Sequence, residues 1–471
     1  MKKIVVVTAV VALIFACNQA GKKNPDEITQ TVSPWFSFSY CDSANGSSLC
    51  SYLPYEVHQP VTIGYDSDLD STRQPPFDIF SWQSFVALNW PADKNGNPLG
   101  NSISAYPSNS RVWEYYQDPI EVFGASNSEL LLHLGDAKEA NEKFLHLSSK
   151  SPGRLNILNG FEEADGHPLI DRNLNFALYE IKMSPAEVNF VTTNKLTTVD
   201  SIGTYYLWNK KQFALPPYDS ASKTPGTTEI KASWRILLPS KGDDTTRYYC
   251  RNALVYVDAA HSRSGKSFVF KAKVGLVGIH IFRITTRFGL GIWSTFEHVD
   301  NTPVSTQQAQ NVRNTNWSFY NPQCLNCPAN DTPVLKKGEK VYKWDSAMPY
   351  AASYGIKAPS QPIATLFGTQ AVREYPIYSA TEFINRLWRA KLQGTVWANY
   401  TLIGSQWQNS ESHPPLNAPA LLANTTLETY IQKDASCISC HRFAAVNYIR
   451  KPGDTITVKT NLSFLFPVYA H

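Results

Sequence analysis

Three runs in the middle of the chain, 229–238, 247–257 and 267–286, are dense in β-branched and aromatic residues and bounded by turn signals. Runs of that kind are strands that pair side by side. They set the expected fold class, α+β, with a β-rich body built on an antiparallel sheet. An aromatic content of 13% and 30 prolines in 471 residues suit many short strands joined by loops. A formal net charge of +4 is too small for a nucleic-acid partner or an electrostatic membrane patch.

Helical patterns flank these runs. Between Asp78 and Asn89 the residues Phe77, Phe80, Phe85 and Leu88 recur at near-helical spacing, with Trp82 on the same side and Pro91 as a stop, which predicts a buried helix. Another helix is expected to start at 129–133, and Pro185 opens a short one toward Thr193. Ser379-Ala380-Thr381-Glu382 reads as a capping box before an apolar face ended by Gly394. Thr425-Thr426-Leu427-Glu428 reads as a second box, opening a helix toward the C-terminal motif.

That motif is Cys437-Ile438-Ser439-Cys440-His441. Two thiols three positions apart can add across the two vinyl groups of a haem while the adjoining histidine takes one axial position on the iron. Zinc would need a second ligand pair at matching spacing, and a thioredoxin-like site a βαβ setting; neither surrounds this pentapeptide. The expected cofactor is therefore one covalent haem c, held by Cys437, Cys440 and the proximal ligand His441.

The N-terminus points to export. Lys2 and Lys3 precede an apolar run to Phe15, too short to span a bilayer. Ile14-Phe15-Ala16-Cys17 resembles the bacterial lipobox, which implies that Cys17 carries lipid and tethers the chain to the envelope membrane, facing the periplasm or in the outer membrane. Residues 1–16 are then a lipoprotein signal peptide, 17–33 a flexible tether, 34–375 the β-rich body and 376–471 a mainly helical haem c segment. An oxidising compartment permits disulfides. Cys41 with Cys50, around an Asn45-Gly46 turn, and Cys324 with Cys327 are read as two pairs, leaving Cys250 in an apolar run that suggests burial.

The C-terminal segment resembles c-type cytochromes through Cys437, Cys440 and His441. The whole mature chain is similar to a family of exported bacterial proteins with a single C-terminal CxxCH. Stretches 80–91, with Trp82 and Trp90, 293–300, with Glu297 and His298, and 422–429, with Asn424 and Glu428, carry that likeness. It implies haem and export and supplies no reaction.

No methionine follows His441, so a sixth ligand has to come from the preceding chain. If the strands 273–283 and 292–299 turn about Gly289, His280 falls opposite His298 and Phe282 opposite Phe296, with both imidazoles on one face. His298 is the first candidate for a distal ligand and His280 the second. Two functions follow. One is electron transfer by a membrane-tethered monohaem cytochrome docking a redox partner protein of the envelope. The other is a haem c enzyme or gas-binding protein with an open sixth position, resembling cytochromes c-prime-beta in its late CxxCH and β-rich body.

Overall fold

The computed structural model describes residues 40–41, 49–58, 74–124, 128–147, 163–304, 316–324, 327–335, 337–346, 356–357, 366–408 and 419–470. The signal peptide, Cys17 and the tether lie outside them. The described residues from position 49 onward belong to one compact unit. Among the described residues no helix is long and apolar enough to cross a membrane. Cys324 and Cys327 form a disulfide with Cα atoms 5.5 Å apart, and Cys41 and Cys50 are disulfide-bonded.

The helices are α1 (Gln74–Leu88), α2 (Pro119–Phe123), α3 (Ser128–Glu139), α4 (Pro185–Thr193), α5 (Val199–Trp208), α6 (Ser379–Lys391), α7 (Cys437–His441) and α8 (Leu465–Tyr469). The strands are β1 (Lys143–Leu147), β2 (Leu178–Met183), β3 (Thr228–Ile236), β4 (Cys250–Val257), β5 (Phe268–Arg283), β6 (Ile292–His298), the two-residue pair β7 (Ile356–Lys357) and β8 (Leu366–Phe367), β9 (Tyr400–Trp407), β10 (Ala445–Lys451) and β11 (Asp454–Lys459).

Seven strands form one sheet whose axis is β5. β3 lies along one edge of it. On the other edge β4 covers the first half, up to Gly275, and β6 the second, from Gly278. The handover falls at a bulge, where Val277 has no partner between the pairs Ser233↔Gly278 and Trp234↔Leu276; such an insertion bends the strand. β2 continues the sheet beyond β3, and β9 beyond β6. The sheet is mixed rather than purely antiparallel, because β1 runs parallel to β4. At five residues β1 is too short for its alternation to be read from sequence.

One face of β6 and β9 packs on α1, in which every residue but Pro76 is buried. Phe77 stacks on Trp407 and Phe85 on Phe296, with centroids 3.5 and 4.3 Å apart, each pair adding about 0.5–1.5 kcal/mol beyond its area burial. Apart from Gln74 Oε1, the buried polar side chains of α1 are hydrogen-bonded. Trp82 donates to Asn385 at 2.8 Å, and Asp78 accepts from Gln74, Thr381 and Ser405 at 2.8, 2.6 and 2.9 Å. Burial still pushes the Asp78 carboxyl up to about 6. The expected aromatic helix is thus core.

The stretch from residue 376 onward is not mainly helical. After α6 it gives β9 to the body's sheet, then returns as turns, the single turn α7, the hairpin β10–β11 and the short α8. The helix expected after Thr425 stops within a turn. Glu428 N does bond Asn424 O at 2.8 Å, but the hydroxyls of Thr425 and Thr426 are taken by Glu297 and Ser233, both at 2.6 Å. Ser and Thr side chains that bind elsewhere compete with helix propagation. Cys250 is half-buried in β4, its thiol donating to Thr245 O at 3.2 Å, and burial pushes it up to about 11.

Candidate functional site

On the face of the sheet opposite α1, cross-strand neighbours form two rows: Ile181, Lys231, His280 and Thr295, then Met183, Glu229, Phe282 and Trp293. Opposed residues share a face. Over these rows the C-terminal stretch folds back. Between sheet and stretch lies a cavity of about 530 Å³, within the range of small-molecule and cofactor sites. Ile181, Glu229, Lys231, His280, Phe282 and Trp293 line it from the sheet; Glu428, Cys437, Cys440, His441, Phe464 and Leu465 line it from the other side.

The single turn of α7 sorts its side chains. Positions i, i+3 and i+4 share one helical face, so Cys437, Cys440 and His441 all reach the cavity while Ile438, fully buried, points back into the core. Ser436 caps the turn, its hydroxyl accepting from Ser439 N at 3.4 Å, and Gln406 of β9 accepts from Ile438 N at 3.5 Å. Both thiols are free, Cys437 half-buried and Cys440 exposed at the rim next to Phe443, which is 64% exposed.

His441 is held in one tautomer. Its Nδ1 lies 2.7 Å from Leu462 O; as that carbonyl can only accept, Nδ1 carries the hydrogen and Nε2 keeps its lone pair. Burial pushes the imidazole down to about 4, so it is neutral at neutral pH. Trp293 and Phe464 bracket the ring at 5.6 and 5.1 Å. The carbonyl that orients it sits on strained backbone: Asn461 and Leu462 have φ of +54° and +66°, costing about 1–3 kcal/mol each. Asn461 Nδ2 to Gly289 O at 3.0 Å and Thr460 Oγ1 to Ser463 O at 2.7 Å hold that conformation.

On the sheet wall His280 Nε2 is buried and has no hydrogen-bond partner. It stands 3.4 Å from Glu428 Oε2, an ion-pair distance without hydrogen-bond geometry. Burial would raise the Glu428 carboxyl, but His280, the backbone N–H of Asn424 at 2.9 Å and Lys231 outweigh it and hold the group below its ordinary value. Lys231, whose ammonium lies 5.4 Å from the Tyr179 ring, is lowered by burial.

His298 lies elsewhere. β5 and β6 pair with His280 opposite Thr295 and Phe282 opposite Trp293, three residues away from a turn centred on Gly289. A displacement by an odd number turns every side chain to the other face, so His280 and His298 point to opposite sides of the sheet. His298 is 1% exposed, stacks on Tyr248 at 4.0 Å, accepts from Asp300 N at Nδ1 and donates to Arg247 O from Nε2. With both nitrogens engaged and no part in the cavity wall, it is not a candidate ligand there.

Sequence reasoning passed over Glu229, Lys231 and Trp293. The sequence carried no specific signal: in β3 the charges Glu229 and Lys231 alternate with the fully buried Ile230 and Ala232, a pattern that equally fits a strand with one face in solvent. Two thiols and two imidazole nitrogens converging on one largely apolar space are a donor set that can hold a haem covalently and axially. Among the described residues no group of three or more His, Cys, Asp or Glu side chains is arranged to hold a bare metal ion. Comparison of the chain with family models, with curated proteins and with solved structures finds no match.

Proposed function

We propose that this chain is a monohaem c-type cytochrome of the electron-transfer class, with thioether bonds at Cys437 and Cys440, His441 as proximal ligand and His280 as distal ligand. The observation that carries the proposal is the buried, hydrogen-bond-free Nε2 of His280 in the same cavity as the CxxCH turn. Its nearest polar group is Glu428 Oε2 at 3.4 Å, outside hydrogen-bond geometry, and an under-satisfied buried nitrogen costs about 1–3 kcal/mol at most, a cost that iron ligation would remove.

When bound, haem supplies a one-electron couple. The chain's residues do the rest. Leu462 O fixes the His441 tautomer, and a carbonyl on the far nitrogen raises the basicity of the ligating one. Phe282, Trp293, Phe464 and Leu465 keep water from the ligand side, while the exposed Cys440 and Phe443 leave the opposite edge open to a redox partner protein of the envelope. The lipobox-like Ala16-Cys17 supports attachment to a bacterial envelope membrane.

The test is the absorption spectrum of protein made with haem-attachment machinery, followed by acid-acetone extraction. Colour that resists extraction and a low-spin spectrum, lost in His280→Ala and kept in His298→Ala, is the expected result. Complete extraction refutes the covalent haem. One observation favours a second reading, a haem c enzyme or gas-binding protein: the 3.4 Å approach of Glu428 to His280 offers the imidazole an alternative partner and leaves His280, Glu428 and Lys231 as a polar set facing an open iron position. A high-spin wild type that binds carbon monoxide at once selects that reading.

A further inference from the structure

Glu229 lines the cavity, and behind it, in the first turn of α4, lies Glu187, which is fully buried. The two carboxyls interact with each other. Apart from the hydrogen bond that a shared proton makes between them, both oxygens of Glu187 and Oε1 of Glu229 have no partner. Among the described residues the other polar group acting on the pair is the Ser463 hydroxyl, at Glu229.

Among the described residues no cation acts on either carboxyl. Lys231, two residues along the same face, interacts with Glu428 and Glu163, and Lys182, on the opposite face of β2, pairs with Glu180 at 3.8 Å. Toward the pair β5 and β6 bring Phe282 and Trp293, and β2 brings Met183. Asp118, before α2, acts on Lys182 and Tyr469 and on neither glutamate.

Two buried carboxylates side by side without a cation cannot both be charged; one proton has to stay between them. Burial and repulsion by Glu229 push Glu187 well above the carboxylate range, and burial pushes Glu229 up to about 7. Apolar residues of similar volume would fill this position more stably. Such a group in a cavity wall is suited to taking and releasing a proton.

We propose that Glu187 and Glu229 form a proton site linked to the redox state of this cavity, taking up one proton from water for each electron it gains. The inference rests on the haem reading above. One electron from a donor protein enters the bound haem and one proton joins the carboxylate pair, so the cavity's net charge is unchanged; oxidation returns both.

The sign follows from electrostatics. An added negative charge favours the protonated carboxyl, so the pair binds its second proton more tightly in the reduced protein. The midpoint potential then falls as pH rises between the oxidised-state and reduced-state proton affinities and is flat outside them.

The experiment is a spectroelectrochemical titration of the haem-loaded protein from about pH 5.5 to pH 9, with an infrared measurement of the protonated carboxyl stretch in the same samples. Wild type is expected to lose up to about 59 mV for each tenfold fall in proton concentration near neutrality. The double variant Glu187→Gln/Glu229→Gln, close to isosteric, is expected to be flat there and to lack the carboxyl band. Should the double variant fail to fold, Glu229→Gln alone is expected to move the sloping region out of the neutral range. A flat wild type, or a slope kept by the variants, which would assign it to the haem propionates, overturns the inference while leaving the haem reading intact. Protein without covalent haem fells the haem reading and the redox linkage with it; the carboxyl band then reports only that the pair is protonated.

Discussion

Gly278 controls how closely the loop bearing Glu428 approaches the sheet. It lies two residues before His280 on the same face of β5, opposite Ser233 and Glu297. A Cβ built there would sit 2.2 Å from Thr426 Oγ1 and 2.6 Å from Ser233 Oγ, where ordinary contact begins at 3.4 Å. In Gly278→Ala the Ser233 hydroxyl can turn away, but Thr426 is fixed by Asn424 Oδ1, which accepts from its N at 2.9 Å and its Oγ1 at 2.8 Å. The loop therefore has to retreat by about 1.2 Å. Overpacking of this kind costs about 1–3 kcal/mol. Loss of the Ser233–Thr426 and Asn424–Thr295 side-chain bonds, which join the loop to the sheet, adds about 1 kcal/mol each, giving about 3–5 kcal/mol in all.

Urea unfolding followed by tryptophan fluorescence measures this cost, and a double-mutant cycle assigns it. In a Thr426→Ala background the nearest obstruction is gone, and Gly278→Ala is expected to cost about 1–2 kcal/mol, a coupling of about 2 kcal/mol or more. In the haem-loaded protein the retreat also withdraws Glu428 from His280, so the spectrum of Gly278→Ala is expected to differ from wild type. A cost below about 1 kcal/mol, or an equal cost in both backgrounds, would refute the claim that this contact sets the loop's position.

Two further outcomes follow from burial and packing. Burial pushes His298 down to about 4 from an ordinary value of 6.5, so the unfolded chain binds a proton that the folded chain refuses; stability is intact above pH 6.5 and falls by up to about 3 kcal/mol as pH drops toward 4. Urea midpoints across that range should show the loss, and His298→Gln should remove about that much of the pH dependence. A Cβ at Gly203 of α5 would overlap the Tyr448 ring of β10, 2.1 Å from its Cγ, so Gly203→Ala should undock the β10–β11 hairpin and lower amide-exchange protection there while α1 and β5 keep theirs.

The β-core and its longer helices were readable because their patterns are local and strong. β3, β4 and β5 lie within three residues of the runs that predicted them, and α6 forms where expected, though Ser379 lies inside it and caps nothing, the N-cap being Tyr378 without a side-chain bond. The register of β5 against β6 was not readable, since the connection from Ile284 to Gly291 is not a symmetric turn about Gly289 and a shift of three residues leaves each strand's own alternation unchanged. That shift decides which histidine faces the CxxCH turn. Glu187 was equally silent: a single acidic residue in the first turn of a helix after Pro185 looks like ordinary helix chemistry, and only the fold brings Glu229 against it. The capping box at Thr425 failed for the related reason that its hydroxyls found partners in Ser233 and Glu297, residues far away in sequence.

The segment from Thr460 to Leu465 closes the cavity over the CxxCH turn. Its carbonyl at Leu462 sets the tautomer of His441, Phe464 and Leu465 close the cavity over the sheet, and Ser463 reaches Glu229. This short segment thus reaches His441, the apolar wall and Glu229, and it does so from a strained left-handed pair at Asn461 and Leu462. Backbone strain persists only where the surroundings over-determine it, and here the determinants are Gly289 O and the Thr460–Ser463 bond. A change of charge in the cavity bears on His441 and, through the neighbouring residue, on Glu229. The tail thus joins His441 to Glu229 through one peptide unit, between Leu462 and Ser463.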